Sequence, residues 1–232
     1  MGGRKRSRCE KTENSSDHLF YISYPKPILQ TKTKAYKTPS QRNRLSGHER
    51  IKLQRFPFTC SSVENLDLLY IVEPGTMWQE MTSYKSFVLG GMKYYRDDFV
   101  FVANEQTVKC RKLTNESETT RDGQEWIARI LEVRASDETH VYARVHWMYR
   151  PDDLPPGTSD GTKKIQGRQS YHEANELILS NHMDVIDVMS VSGPAKVKEW
   201  VEIEGEERKE DLFCRQAYDW RHSRLSDLPG TS

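Results

Sequence analysis

Three aromatic residues and one short polar run carry most of the chemistry this sequence offers. Trp147 and Tyr149 stand two apart at the end of the stretch Val141–Pro151. With the two-residue period of a strand they share a face with Val141, Ala143 and Val145, just before an Arg150-Pro151-Asp152-Asp153 turn. Trp126 opens the run Trp126–Val133. Aromatics at the rim of a sheet wall a ligand site, or they close the core as a lid; alternation alone leaves both readings open. The polar run is Asn181-His182-Met183-Asp184, with Glu173 shortly before it. These residues are hydrogen-bonding groups for a ligand, or a turn whose Asp bonds its own backbone and a solvated loop carboxylate. His172-Glu173 and His182-x-Asp184 have the composition of acid–base pairs, but two such pairs arise readily by chance. The sequence shows no nucleophile elbow, phosphate loop or dinucleotide fingerprint, so neither catalysis nor a cofactor nor a small-molecule substrate is expected.

The elements that must position these residues read as short strands. Asp97–Val102 reads as a strand, its aromatic and β-branched residues entering from an acidic turn. Trp126–Val133 is apolar on both faces, as a strand in a curled sheet or barrel is. The link Ala135–Thr139 has hairpin length and makes Trp126–Val133 and Val141–Tyr149 antiparallel neighbours. The start of one strand then lies beside the end of the other, so Trp126, Trp147 and Tyr149 converge on one rim. Further on, Pro155–Gly167 reads as a long surface loop. Glu176–Ser180 is a short strand, Asn181–Asp184 a polar turn, and Val185–Val191 the next strand. Gly193-Pro194 turns the chain into a strand at Val197–Val201. Met77, Met81 and Tyr84 have the spacing of a core-covering helical turn, and Gly90-Gly91 breaks the chain after it. The pattern as a whole predicts an all-β fold.

Composition divides the chain. Hydrophobic residues make up 35% and the mean hydropathy is −0.82, low for a fully packed globule. The net charge of +1 hides an asymmetry: residues 1–55 hold 14 Lys/Arg against 4 Asp/Glu, leaving the remainder at about −9. This predicts a disordered basic arm over 1–55, with order beginning near Phe56-Pro57-Phe58. Arg4, Lys5, Arg6 and Arg8 in the arm read as a nuclear import signal, and its other cations as contacts for DNA phosphates. The expected divisions are the arm (1–55), an N-terminal extension packed on the main domain (56–96), the domain itself (97–218) and a flexible tail (219–232). Cys9, Cys60, Cys110 and Cys214 are too dispersed for a zinc site, so no metal is expected. Disulfides are not expected either, since the chain opens with no secretory segment. No apolar run approaches the roughly 20 residues that cross a bilayer. A soluble intracellular protein with no membrane association is the expectation.

The motifs together resemble the bromo-adjacent homology (BAH) domain. The resemblance runs in family order through Trp126-Ile127-Ala128-Arg129-Ile130, Val145-His146-Trp147-Met148-Tyr149-Arg150-Pro151, Gly167-Arg168-Gln169, Tyr171-His172-Glu173 and Glu176–Ile186. It covers about Asp98 to Tyr218, roughly half of the chain, and its most specific feature is W-x-Y-R-P followed by E-L-x-x-S-N-H-x-D. The segment Phe56–Gly91 also resembles the extension preceding the fungal modules. The resemblance implies a small distorted β-barrel with short helical turns that binds histone tails on the nucleosome. The fungal and plant BAH–PHD branch it looks most like reads trimethylated lysine 27 of histone H3 in Polycomb-type repression, with repressor proteins as partners. Carried over by position, the cage is Trp126, Trp147 and Tyr149, the first of these more often Tyr in that branch. The His182-x-Asp184 turn falls at the place where the family holds the peptide backbone, with Asn181 in the same turn and Glu173 at the rim completing the expected peptide-binding residues. The zinc-binding Cys/His cluster of the PHD finger is not present in this sequence. The competing expectation is a nucleosome or protein-interaction scaffold that reads no methyl-lysine and draws its affinity from the basic arm.

Overall fold

The computed structural model of the chain describes residues 19–25, 52–54, 68–103, 125–199 and 212–228. β1 (Tyr21–Ser23) and β2 (Lys52–Gln54) flank β3 (Leu68–Glu73) in a small antiparallel sheet. A short helix, α1 (Gly75–Glu80), leads to β4 (Thr82–Tyr84) and to a hairpin of β5 (Ser86–Leu89) and β6 (Met92–Tyr95). Gly90 and Gly91 form the hairpin tip with φ of +59° and +79°, values that a two-residue turn requires and glycine adopts without a Cβ penalty. The main sheet is built from β4, which pairs with β8, and from β7 (Phe99–Val102), β8 (Trp126–Ala135), β9 (Val141–Tyr149), β10 (Thr158–Asp160), β11 (Lys163–Ile165), β12 (Glu176–Asp187), β13 (Val191–Ala195), β14 (Val197–Glu199), β15 (Leu212–Asp219) and β16 (Arg224–Asp227). The fold is mainly β, as the strand periodicity predicts.

The main sheet closes on itself. β7, β8, β9, β12 and β15 are neighbours in that order. β13 pairs with β7 while β14, only one residue further along the chain, pairs with β15. One nearly continuous strand therefore bridges both ends of a five-strand path, and the sheet becomes a barrel without free edges along it. A core cluster draws on the whole circuit: Phe99 and Phe101, Ile127, Met148, Leu177 and Leu179, Ala195, Val197, Leu212 and Cys214. The opposite faces of β7, β8 and β9 carry a second cluster around Val100, Ala128, Ile130 and Val145, covered by Phe87 and Tyr94 of the hairpin, whose rings stack at 5.0 Å. Both faces of β8 are thus buried, which is why its sequence does not alternate cleanly. A register shift between Ile130 and Glu132 turns Leu131 toward yet another cluster.

That cluster joins the N-terminal sheet to the barrel. Phe20, Leu68, Tyr70, Val72, Trp78 and Met81 pack onto Leu131, Met183 and Val185. A charged layer lies beside it. Glu132 accepts hydrogen bonds from Arg134 Nε (2.7 Å) and Arg144 Nε (3.1 Å), with Lys52 at 4.0 Å. Arg144 also donates to Gln54 (2.7 Å) and lies over the Tyr70 ring (4.7 Å). Arg134 donates to the carbonyls of Trp78 and Met81.

Several sequence expectations are corrected. Tyr21–Ser23 and Lys52–Gln54, assigned to the disordered arm, form strands, and Phe20 is buried; the import-signal residues Arg4, Lys5, Arg6 and Arg8 lie outside the described residues, as does Phe56-Pro57-Phe58. In α1 the buried residue is Trp78, while Met77 is exposed and Tyr84 lies exposed on β4, because the helix ends at Glu80. Pro155–Gly167 is not a plain loop: it holds the β10–β11 hairpin, whose polar sequence suits a sheet edge. Gly193-Pro194 lies within β13. The flexible tail expected from residue 219 is instead a turn and β16, which pairs with both β15 and β10, and Leu228 is buried.

Candidate functional site: an aromatic rim on the β-barrel

Trp147 is placed by its neighbours on β9. It lies opposite Ala128 of β8, and the small buried partner leaves room for an indole on that face. One side of Trp147 packs on the core around Val145 and Ile130. Trp126 meets it edge to face, with ring centroids 5.2 Å apart and planes at 75°. Trp126 remains 44% exposed, so the pair forms an aromatic corner open to solvent rather than a sealed contact. The ladder pairs Ile127 with Met148, and extending it by one residue sets Trp126 across from Tyr149. The structure therefore brings Trp126 and Trp147 into contact and puts Tyr149 on the same face of the same hairpin. Beside Trp126, the Glu125 carboxylate accepts a hydrogen bond from Ser192 (2.6 Å).

Tyr149 is only half-buried, and its ring leans on Tyr218 (5.2 Å) over a small cluster of Leu154, Ile178 and Leu225. Its hydroxyl lies 2.8 Å from His182 Nδ1. Burial pushes the Tyr149 hydroxyl well above its ordinary value and lowers His182 to about 4. Both groups are therefore uncharged at neutral pH and share a neutral hydrogen bond.

The polar run that contains His182 is not a turn between strands. Asn181, His182, Met183 and Asp184 sit inside the single long strand β12, where the register with β9 shifts between Leu179 and Met183. Side chains hold this bulge. Ser180 Oγ donates to the Trp147 carbonyl (2.6 Å) and accepts from the His182 N–H (3.2 Å). Asn181 is buried, donates to Asp219 (3.1 Å) and accepts from the Trp220 N–H (2.9 Å). Its amide anchors the β15–β16 turn, which corrects the expectation that it faces a ligand. Asp184 keeps a half-buried carboxylate that accepts from the Val185 N–H (2.8 Å). Glu173 is exposed in the segment before β12, which is held to β15 by His172–Gln216 (2.9 Å) and Glu176–Arg215 (2.9 Å).

Sequence reasoning missed Trp220 and Tyr24. Trp220 lies flat against His182, with ring centroids 4.3 Å apart and planes at 3°. Tyr24 packs on Trp220 at 5.8 Å. The signal for Trp220 was its two-residue spacing from Tyr218 at the end of a strand. Tyr24 had none, since only tertiary folding brings it near. Among the described residues, no group of three or more His, Cys, Asp or Glu side chains is arranged to hold a metal.

The arrangement offers electron-rich ring faces for a cation and, beside them, a strand bulge with hydrogen-bonding groups for an extended chain. Comparison with known proteins places the chain in context. Residues 92–229 match the family model of the BAH domain. The chromatin remodeling protein EBS of Arabidopsis thaliana is 29% identical over 96 residues, 40% of this chain and 36% of that protein. The chromatin remodeling protein SHL of the same plant is 28% identical over 97 residues, 40% of this chain and 38% of that protein. The similarity thus spans little more than a third of each curated relative. Among solved structures, the yeast Rsc2 BAH domain aligns with a TM-score of 0.44 at 10% identity, over 64% of this chain and 55% of that one. The family match starts at β6, takes in the whole barrel and covers more than half of the sequence: this chain belongs to the BAH domain family.

Proposed function

We propose that this protein binds chromatin by reading a methylated histone tail, with trimethylated lysine 27 of histone H3 as the ligand. The observation that carries the reading is the Trp126–Trp147 corner, half open to solvent, on the face that also bears Tyr149. Trimethyl-lysine keeps its charge but has no N–H to donate, so aromatic faces satisfy it better than a carboxylate does. Each ring contributes about 0.5–2 kcal/mol, and three give about 1.5–6 kcal/mol before ordering costs. Micromolar affinity needs about 8 kcal/mol, so contacts to the rest of the peptide supply the difference. His182 and Asp184, next to the bulge, are the residues we assign to it, with Glu173 at the periphery. Polycomb-type repression in the nucleus, with repressor proteins as partners, is the setting that fits this ligand, while the two similar proteins, both named for chromatin remodeling, support the coarser reading of chromatin binding. The basic arm, with 14 Lys/Arg against 4 Asp/Glu, adds contacts to nucleosomal DNA.

The test is titration of the full chain with histone H3 peptides carrying unmodified or trimethylated lysine 27. We expect the methylated peptide to bind at least about tenfold tighter. We expect Trp126→Ala, at a half-exposed position, to erase that preference without lowering the melting temperature appreciably. Equal binding of both peptides overturns the reading. The charge asymmetry favours one alternative, a scaffold held by the arm. Its signature is steeply salt-dependent nucleosome binding that ignores methylation and disappears when the Lys and Arg residues of 1–18 and 26–51 are replaced by Gln, a change that spares β1 and β2.

A further inference from the structure

A second row of rings runs into the site from outside the family match. It begins at Tyr24, passes to Trp220 (5.8 Å), continues flat onto His182 (4.3 Å) and ends at the Tyr149 hydroxyl (2.8 Å). Every link is fixed independently. The Met183 N–H donates to the Tyr24 hydroxyl (3.4 Å), and the Arg221 guanidinium lies over the Tyr24 ring (5.2 Å). The Trp220 N–H is held by Asn181 (2.9 Å). The His182 N–H is held by the same Ser180 hydroxyl that donates to the Trp147 carbonyl. Trp220 itself is half-buried and, besides lying on His182, packs against the cluster of Leu154, Ile178, Tyr218 and Leu225.

We propose that Trp220, backed by Tyr24, is a positioning residue of the ligand site: it holds the His182 ring flat, and His182 fixes the direction in which the Tyr149 ring faces. This rests on Tyr149 being a wall of the methyl-lysine cage. The physical reason is the anisotropy of an aromatic ring, whose face is negative and whose edge is positive. A tyrosine wall attracts a trimethylammonium group only while its face is presented; turned edge-on, it repels the same group. The hydroxyl is the far end of the lever that sets this rotation, and His182 is what holds it. His182 is in turn kept from swinging by the indole stacked on it. The N-terminal segment, 159 residues from Met183 in the chain, thereby becomes part of the ligand site without touching ligand.

The experiment measures binding of the full chain to histone H3 peptides with trimethylated and unmodified lysine 27. Trp220→Ala is expected to weaken the trimethylated peptide about tenfold more than it weakens the unmodified one, the size of one lost aromatic contact or hydrogen bond. Trp220→Phe, which keeps a flat ring, restores most of the preference. Tyr149→Phe removes the hydroxyl while keeping the ring, and in that background Trp220→Ala changes the preference no further. A general structural role would instead weaken both peptides together. Wild-type preference in Trp220→Ala overturns the proposal. If Trp220→Ala does not fold, Tyr149→Phe decides alone, because an undiminished preference shows that the hydroxyl anchor does nothing. A wild-type chain with no preference for the methylated peptide overturns the cage reading, and this proposal with it. A wild-type preference lost in Trp126→Ala but kept in Trp220→Ala and Tyr149→Phe overturns only the proposal.

Discussion

Two histidines of the barrel are held uncharged by their surroundings, and that links stability to pH. His146, on β9 opposite Arg129, is depressed to about 3, mainly by burial and then by the nearby Arg129 charge. His182 is depressed to about 4 by burial against Trp220 and Tyr149. In the unfolded chain both titrate near an ordinary value of about 6.5. As pH falls through that value, the unfolded chain takes up protons that the folded chain refuses. Their contribution to stability is therefore complete above about pH 6.5 and declines as pH falls towards about 4. Urea denaturation between pH 7.5 and 4 should show this decline, and His182→Gln should flatten part of it. A curve that His182→Gln leaves unaltered would place the linkage elsewhere. At this scale much was legible in the sequence. The meeting of Trp126 with Trp147 follows from hairpin register and side-chain alternation, both of which are local rules. The job of Asn181 was not legible, because its partners Asp219 and Trp220 lie about forty residues away in sequence.

Among the elements, β12 departs most from its sequence pattern. Polar residues at Ser180, Asn181, His182 and Asp184 interrupt an apolar run, and local rules read such an interruption as a turn. The strand persists because three of these side chains replace ladder hydrogen bonds with bonds of their own: Ser180 to Trp147, Asn181 to Asp219 and Trp220, His182 to Tyr149. Asn181→Ala leaves the Trp220 N–H and one Asp219 contact without their partner, at a cost of about 1–3 kcal/mol for buried polar groups. We expect a matching loss in chemical denaturation, and hydrogen exchange at the Trp220 amide should accelerate more than at β8 amides. Uniform acceleration would mean that Asn181 supports the barrel as a whole rather than this turn. The β10–β11 hairpin was missed for a different reason. Its polar composition is that of a sheet edge, which sequence patterns do not separate from a loop.

Over the whole molecule, the barrel and the N-terminal sheet share one packed interface, although the family match takes in only the former. The match begins at residue 92, so it omits β1 to β5 and α1. Those omitted elements supply Phe20, Leu68, Tyr70, Val72, Trp78 and Met81, which cover Leu131, Met183 and Val185 of the barrel. They also supply Lys52 and Gln54 to the Glu132–Arg134–Arg144 layer, and the carbonyls of Trp78 and Met81 to Arg134. Burial disfavours the Glu132 carboxylate, but Arg144, Lys52 and Arg134 outweigh it and hold the group below its ordinary value. Its stabilising contribution is therefore present above an ordinary carboxylate value of about 4.3 and is lost only as pH falls below that, a window lower than that of the histidines. The family resemblance suggested an extension beginning near residue 56 but gave no sign of the elements before it, because Phe20 and Lys52 lie in stretches whose composition is otherwise that of a disordered arm. A chain cut to residues 92–229 should accordingly expose an apolar face and strip cations and acceptors from a partly buried ion network. Breaking such a network costs about 3–5 kcal/mol, a large part of the stability of a typical domain. We expect that fragment to aggregate or melt without a cooperative transition at temperatures where the full chain is folded. Restoring residues 19–91 should recover a single sharp transition. Glu132→Leu within the full chain should reproduce part of the loss, since it leaves Arg144 and Arg134 without their shared carboxylate. A 92–229 fragment as stable as the full chain would show that the N-terminal sheet is an appendage, and that Tyr24 reaches the ligand site only as a passenger.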